Sequence, residues 1–445
     1  MNAMGIMPVN SLILKMSIPM MVSMLVQALY NIVDSIFVAQ IGEAALAAVS
    51  LAFPVQMLII GIAVGTGVGI NALLSKSLGE RNFEKVNKSA ANGVFLAIVS
   101  ATVFFVAGIL FTETYFRTQT GISEIVEYGC DYISIICIFS ITVFTQITFE
   151  RLLSSTGKTF YAMVSQLIGA LVNIILDPIL IFGLFGFPRM GVMGAAVATV
   201  IGEFCGAFAA IMFNLKVNKE IHFSFKGFRP DGGIIKSIYA VGIPSILMQC
   251  VGSVMIYGIN RILIRFSPTA NAVFGVFFRL QSFIFMPIFG MNNAIVPIIA
   301  YNYGARNKER IIKTIKLGVL YAFCITFIGL LLFQLIPGKM LALFNATPEM
   351  TAIGVTAFRI ISTIYLFAGF CIVFISVLQA MGSAVQGLIV TCARQLLVLL
   401  PSAWLLSLTG SLDAVWLSFP IAEIVSLSAS IFFIRRLFLT KLRNL

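Results

Sequence analysis

Stretches of roughly 20 consecutive apolar residues, each long enough to cross a hydrocarbon core of about 30 Å, recur from one end of this 445-residue chain to the other. In lipid the backbone has no water to bond to, so runs of this length must become helices. Their centres fall near residues 11–38, 46–75, 89–112, 122–154, 160–185 and 190–215. A second set lies near 233–262, 270–301, 311–336, 347–380, 386–408 and 411–436. Only 10% of the residues are charged and 60% are hydrophobic, against about 25% charged in a soluble domain. The expected fold is an all-α integral membrane protein of twelve transmembrane helices. Met1 to Asn10 is nearly uncharged and its apolar run continues into a full span, so a span is expected there rather than a cleavable leader.

The net charge of +12 would suit a nucleic-acid binder if it were clustered on one soluble surface. Instead it sorts by loop. With the N-terminus in the cytoplasm, Lys15, Lys76, Arg81, Lys85, Lys88, Arg151, Lys158, Lys216, Lys219, Lys226, Arg229 and Lys236 fall inside. So do Arg306, Lys308, Arg310, Lys313, Lys316, Arg435, Arg436, Lys441 and Arg443, leaving Arg117, Arg189, Arg265 and Lys339 outside. Short cytoplasmic loops carry such an excess of Lys and Arg, which predicts that both termini are cytoplasmic and that no nucleic acid is bound. Trp404 and Trp416, the only tryptophans, flank the last outer loop and are expected in an interfacial aromatic belt. Seven cysteines lie in apolar stretches without a CxxC pair, and the single His222 sits in a polar loop. The cysteines read as small apolar filler, and neither a disulfide framework nor a His-based metal site is expected.

The longest polar stretch, 216–232, divides the spans into residues 1–215 and 233–445. The two parts are copies. Gly79-Glu80-Arg81-Asn82 matches Gly304-Ala305-Arg306-Asn307 at a shift of 225 (304 minus 79), and the same shift pairs Pro19 with Pro244, Gln56 with Gln281, Gly65 with Gly290 and Gly157 with Gly382. Near the end the shift becomes 220, pairing Glu203 with Glu423, so the first half carries about five extra residues around Gly186 to Arg189. An even number of spans per copy inserts both in the same sense. This gives two parallel six-helix lobes about a seam, an arrangement of secondary transporters.

An ionisable group at the bilayer centre costs about 3 kcal/mol on insertion scales. Span 1 carries Asp34, with Tyr30 and Asn31 in the preceding turn. Span 5 carries Asn173 and Asp177, four apart and so on one helix face, and span 6 carries Thr199. Two carboxylates, amides and a hydroxyl at one depth form an oxygen-rich site of the kind hard cations such as Na⁺ favour, and two close carboxylates resist double ionisation, which suits proton uptake. An isolated aspartate near a helix end is ordinarily interfacial or a helix staple. The repeat argues otherwise for this group, because Asp34, Asn173, Asp177 and Thr199 become Ile259, Val398, Ser402 and Phe419 in the second copy. Glu203 and Glu423 occur in both copies and read as structural, and Glu150 with Arg151 reads as interfacial. Gln56, Arg279, Gln281, Arg359 and Arg394 are candidates to line a substrate cavity, the arginines having snorkelling or helix-carbonyl pairing as the ordinary alternative. Pro19 on span 1 is a candidate kink coupled to Asp34. The glycines of Gly61 to Gly69 lack the Lys-Ser or Lys-Thr of a nucleotide loop, so no ATP-driven step is expected, and no nucleophile–base pair suggests an enzyme.

Pro19, Tyr30 to Asp34, the Gly79–Asn82 loop with its copy, Gly157, Asn173 to Pro178 and Gly191 to Thr199 together resemble the multidrug and toxic compound extrusion (MATE) family, most like its bacterial MepA-like members, over essentially the whole chain. The resemblance implies two lobes in a V shape in a bacterial cytoplasmic membrane, acting as a monomer. It implies alternating access, with amphipathic, cationic compounds expelled in exchange for H⁺ or Na⁺, and no organic cofactor. The coupling residues of one branch match Asp34, Asn173, Asp177 and Thr199, which would also hold Na⁺, and the kink proline matches Pro19. The acidic residues that another branch uses on spans 7 and 8 are lacking. The alternative is a flippase for a lipid-linked or anionic amphiphile, with Arg279, Arg359 and Arg394 meeting its headgroup.

Overall fold

A computed structural model describes residues 2–223 and 228–443; Lys226, counted above among the basic residues, lies outside them. Among the described residues every regular element is helical. Ten single helices are long and apolar enough to cross a membrane: Val9–Ala39, Glu43–Gly79, Phe83–Gln119, Thr159–Phe182, Gly191–Val217, Gly232–Leu263, Pro268–Gly304, Lys308–Leu335, Ala384–Ser407 and Leu412–Leu442. Two bent pairs, Ser123–Ile138 with Ile141–Ser155 and Pro348–Ser362 with Tyr365–Ala380, complete twelve crossings. They are numbered spans 1 to 12 in chain order. Large apolar side chains such as Val103, Ile109, Phe111, Leu331, Leu397 and Phe432 are exposed around the bundle, a belt that only a bilayer covers.

The helices overrun their apolar runs. Span 2 has 37 residues, about 55 Å at 1.5 Å per residue, and so projects well past the hydrocarbon. Breaks of 46° and 49° divide spans 4 and 10 at Phe139-Ser140 and Thr363-Ile364. Neither break has a proline or glycine. The hydroxyls of Thr142 and Thr363 donate to the carbonyls of Phe139 and Ile360, three residues back, and three-residue backbone bonds tighten both turns. Such back-bonding bends helices.

The duplication reaches backbone detail. Arg81 and Arg306 both take left-handed φ, at 57° and 56°, and Asn82 and Asn307 next to them accept from the N–H groups of Lys85 and Arg310. These are N-caps that start spans 3 and 9 in the same way. Contacts across the seam repeat with the halves exchanged. A Cβ on Gly79 would overlap the Tyr301 carbonyl, and one on Gly304 the Lys76 carbonyl. Likewise Gly65 faces Ile246, and Gly290 faces Met21. Each pair is the other displaced by 225, the signature of a pseudo-twofold axis between spans 2 and 8 and between spans 1 and 7.

The apolar cores show which side is closed. One core draws only on residues between Val38 and Ala196, another only on residues between Ile259 and Leu442. A third mixes both halves, with Ile13, Leu74, Leu78, Ile238, Ala294 and Ile298, on the face that carries the termini. There the N-terminal segment straps the halves together. Asn2 Nδ2 donates to the Thr156 carbonyl and to Glu220 Oε1, both at 2.9 Å. Arg310 Nη2 reaches the carbonyls of Met4 and Met7 at 3.0 and 2.7 Å, and Tyr321 bonds Asn10. The halves are joined at the terminal face and part toward the opposite one.

Trp416 differs from the sequence expectation. It is fully buried among second-half helices, so it anchors a core rather than the interface, while Trp404 is about half exposed.

Candidate functional site

Span 5 packs along span 6 and span 1, and this brings the acidic group together. Asp177 is fully buried and Asn173 nearly so. Asn173 Nδ2 points at Asp177 Oδ1 and at Thr199 Oγ1, each 3.4 Å away, long for hydrogen bonds. Thr199 donates to the Ala195 carbonyl within its own helix. Asp34 lies on span 1 within electrostatic reach of Asp177 and Tyr30. Four oxygens remain prominent: Asp34 Oδ1, Asn173 Oδ1 and Asp177 Oδ2 are buried without a hydrogen-bond partner, and Thr199 Oγ1 stands beside them. Pro178 makes this turn more polar still by removing the donor for the Ile174 carbonyl.

A buried acceptor left without a donor costs about 1–3 kcal/mol. Several converging acceptors are the preparation for a proton or a hard cation, which supplies what they lack. Among the described residues no three His, Cys, Asp or Glu side chains form a metal-binding group. A cation held here would depend on the amide and hydroxyl oxygens as much as on the carboxylates.

Asn173 and Thr199 edge a cavity of about 880 Å³, counting its open mouth, in the first half, whereas Asp34 and Asp177 are not among its lining residues. Met20, Met24, Tyr30, Asn173, Thr199 and Glu203 contribute to its wall, and Glu150 and Arg151 to its floor. Sequence reasoning had put the last three elsewhere. Glu203 is not only a shared structural acid: it faces the cavity with Oε2 at 2.7 Å from the Thr142 hydroxyl. Glu150 and Arg151 turn into the bundle and line the cavity. Gln146 and Ser165 donate to Glu150 at 3.1 and 3.3 Å. Arg151, 6% exposed, donates to Asn293 Oδ1 of span 8 at 2.9 Å, crossing the seam. Their place near the end of span 4 in sequence suggested the interface; which neighbouring helices their side chains meet is not recorded by that place.

A smaller cavity of about 470 Å³, again counting its open mouth, lies in the second half. It is the repeat-related counterpart: Met255 stands for Tyr30, Phe419 for Thr199 and Glu423 for Glu203. Gln281 and Arg394 line it, and Arg394 Nη1 contacts Glu423 Oε2 at 3.2 Å. Of the other candidates, Gln56 donates to the buried Tyr132 hydroxyl at 3.0 Å. Arg279 and Arg359 are exposed and line neither cavity. Asn31 is exposed, its carbonyl taken by Ser35. Pro19 is buried inside span 1, and Pro244 inside span 7.

Two pseudo-symmetric six-span halves, closed on one face about a polar cavity, define a membrane carrier. The MatE family model matches residues 19–179 and again 244–405, one match in each copy, and the chain belongs to that family: it is a transporter and not an enzyme. Multidrug export protein MepA of Staphylococcus haemolyticus (strain JCSC1435) is 29% identical over 427 residues, covering 94% of this chain and 91% of that one. A solved structure described as the outward-facing conformation of a multidrug resistance MATE family transporter of the MOP superfamily superposes with a TM-score of 0.91 at 27% identity, covering 98% and 97% of the two chains. A second, a MOP superfamily transporter from Pyrococcus furiosus whose binding pocket is described as reversed in polarity with a suggested different function, superposes at 0.90 and 27% identity, covering 99% and 98%.

Proposed function

We propose that this protein is a secondary active exporter that expels amphipathic cationic compounds in exchange for inward H⁺ or Na⁺, the ion binding at Asp34, Asn173, Asp177 and Thr199. The observation that carries the reading is the set of partnerless buried oxygens on Asp34, Asn173 and Asp177, of which Asn173 reaches the wall of a cavity that also holds Tyr30, Thr199, Glu203 and two methionines. A cationic drug gains from the carboxylates and from adaptable methionine surface. The incoming ion competes for the same field, and that competition is the coupling. The similarity to a multidrug export protein supports the cargo class. The basic residues of the terminal face support placing it in the cytoplasm of a bacterial cell membrane, with residues 1–215 and 233–445 as the two moving lobes and 216–232 as their tether. The seam is completed within one chain, which supports a working monomer.

Net inward movement of one elementary charge at 100 mV supplies about 2.3 kcal/mol, about a fiftyfold concentration ratio. Because a monovalent cationic cargo carries a charge outward, that gain requires two ions per compound, and one-for-one exchange draws on the ion's concentration gradient alone. The anionic-amphiphile reading is weaker, because Arg394 is already paired with Glu423 and Arg279 and Arg359 stand away from both cavities.

The test is transport of ethidium in proteoliposomes with a pH or a Na⁺ gradient imposed one at a time. One of the two gradients drives transport by the wild type, and Asp34→Asn, folded as judged by its elution and melting temperature, loses it at least tenfold. Undiminished gradient-driven transport by Asp34→Asn would remove the coupling assignment.

A further inference from the structure

The second cavity has acceptors that nothing in the fold satisfies. Glu423 is 3% exposed, and only its Oε2 meets Arg394; its Oε1 is buried without a partner. Gln395, 8% exposed, likewise leaves Oε1 buried and bare. Both line the same space, opposite Phe274, Phe278 and Phe419. Residues 393–399 depart from the α-helix into a π-helical turn, a feature often found at functional sites, and this turn carries Arg394 and Gln395.

The chemistry of this space differs from that of the first cavity. Arg394 compensates the charge of Glu423, so a cation entering gains no net field, and an anion gains none either. What the two bare oxygens lack is a hydrogen-bond donor, and what the walls offer is aromatic surface. We propose that the second-lobe cavity is a separate binding site for uncharged aromatic compounds bearing a hydroxyl or N–H donor, the donor meeting Glu423 Oε1 and Gln395 Oε1 while the ring packs on the three phenylalanines. The carrier therefore has two cavities with opposite preferences, a cation site in one lobe and a neutral-donor site in the other, derived from one ancestral pocket. The residue at position 394 is what separates them: without the guanidinium, Glu423 becomes a carboxylate with no cationic partner, as Glu203 is.

Three probes with one ring system test this on the full-length protein in lipid nanodiscs, read by naphthalene fluorescence after subtraction of empty discs. They are 2-naphthol, 2-methoxynaphthalene and 2-naphthyltrimethylammonium. The wild type binds 2-naphthol saturably, about tenfold more tightly than the ether that lacks the donor. Gln395→Leu, which leaves the Arg394–Glu423 pair in place, removes that discrimination. Arg394→Met reverses the order, favouring the trimethylammonium probe over 2-naphthol. Asp34→Asn leaves 2-naphthol affinity within twofold. The proposal is overturned by absence of saturable 2-naphthol binding, which assigns the acceptors to water. It is overturned equally by equal affinities for naphthol and ether, or by loss of naphthol binding in Asp34→Asn, which places the probe in the first cavity. If Arg394→Met fails to fold, Gln395→Leu decides alone. The proposal does not rest on the ion-coupling assignment, since each of these outcomes is read without a gradient.

Discussion

At Asp177 the chain buries a carboxylate completely and then gives it little to bond: one amide at 3.4 Å on Oδ1 and nothing on Oδ2. Side chains that merely staple helices are not left in that state, because each missing bond costs stability. The neighbouring groups separate the two candidate ions. A proton needs only a carboxylate oxygen, whereas Na⁺ needs a shell of several oxygens. Thr199→Val removes one shell oxygen and keeps the carboxylates. If Na⁺ is the coupling ion, this variant loses Na⁺-driven ethidium transport about tenfold, equivalent to about 1.4 kcal/mol of ion affinity; if H⁺ is, pH-driven transport stays within twofold. Trp416 gives the matching stability test. It is fully buried, so Trp416→Ala opens a cavity and costs about 3–5 kcal/mol, seen as a lowered unfolding midpoint. An interfacial tryptophan would cost far less. The acidic pair was legible in sequence because both aspartates interrupt apolar runs and the second copy has Ile259 and Ser402 in their places. Glu203, Glu150 and Arg151 were not, since a residue's place along a helix says nothing of which neighbour its side chain meets. The pairing of Arg394 with Glu423 joins residues 29 apart on different spans, and no local pattern records that.

Between helices, the glycines of the seam are where the closed face is made. Gly79 and Gly304 each bring their helix so near the other that one added methyl would strike a carbonyl. Gly79→Ala and Gly304→Ala therefore both push spans 2 and 8 apart at the terminal face. Because the two contacts are images of each other, their effects should be of like size. The N-terminal strap acts at the same place: Arg310→Ala removes two bonds to the Met4 and Met7 carbonyls. Spin-label distances across the terminal face, measured by pulsed electron resonance, should show a new longer population in all three variants, and an unchanged distribution would deny these contacts a part in closing. The spans themselves were readable from apolar runs to within a few residues at most boundaries. The breaks in spans 4 and 10 were not, because hydroxyl back-bonding at Thr142 and Thr363 bends a helix without any of the usual marks of proline or glycine. That the same break recurs near the same register shows it belongs to the duplicated unit.

For the whole molecule, the consequence of two cores kept apart and a third shared at one face is that the cavities communicate with one side only. A carrier must exchange that side for the other without ever opening both, whereas a pore would admit reagent from both at once. Two cysteines introduced into a version lacking the seven native ones read this directly. Tyr30→Cys lies on the wall of the first cavity, and Ala294→Cys lies fully buried in the shared core. With the terminal face in the cytoplasm, a membrane-impermeant maleimide added to right-side-out vesicles labels Tyr30→Cys and spares Ala294→Cys. In inverted vesicles at rest neither position reacts. An imposed gradient with ethidium present then populates the opposite state, so Ala294→Cys becomes reactive in inverted vesicles while the labelling of Tyr30→Cys from outside falls. Labelling of Tyr30→Cys confined to inverted vesicles would reverse the orientation inferred from the basic loops. Reaction of both positions from one side at rest would replace the carrier with a continuous channel, because no single packing of spans 2 and 8 exposes the cavity wall and the shared core together.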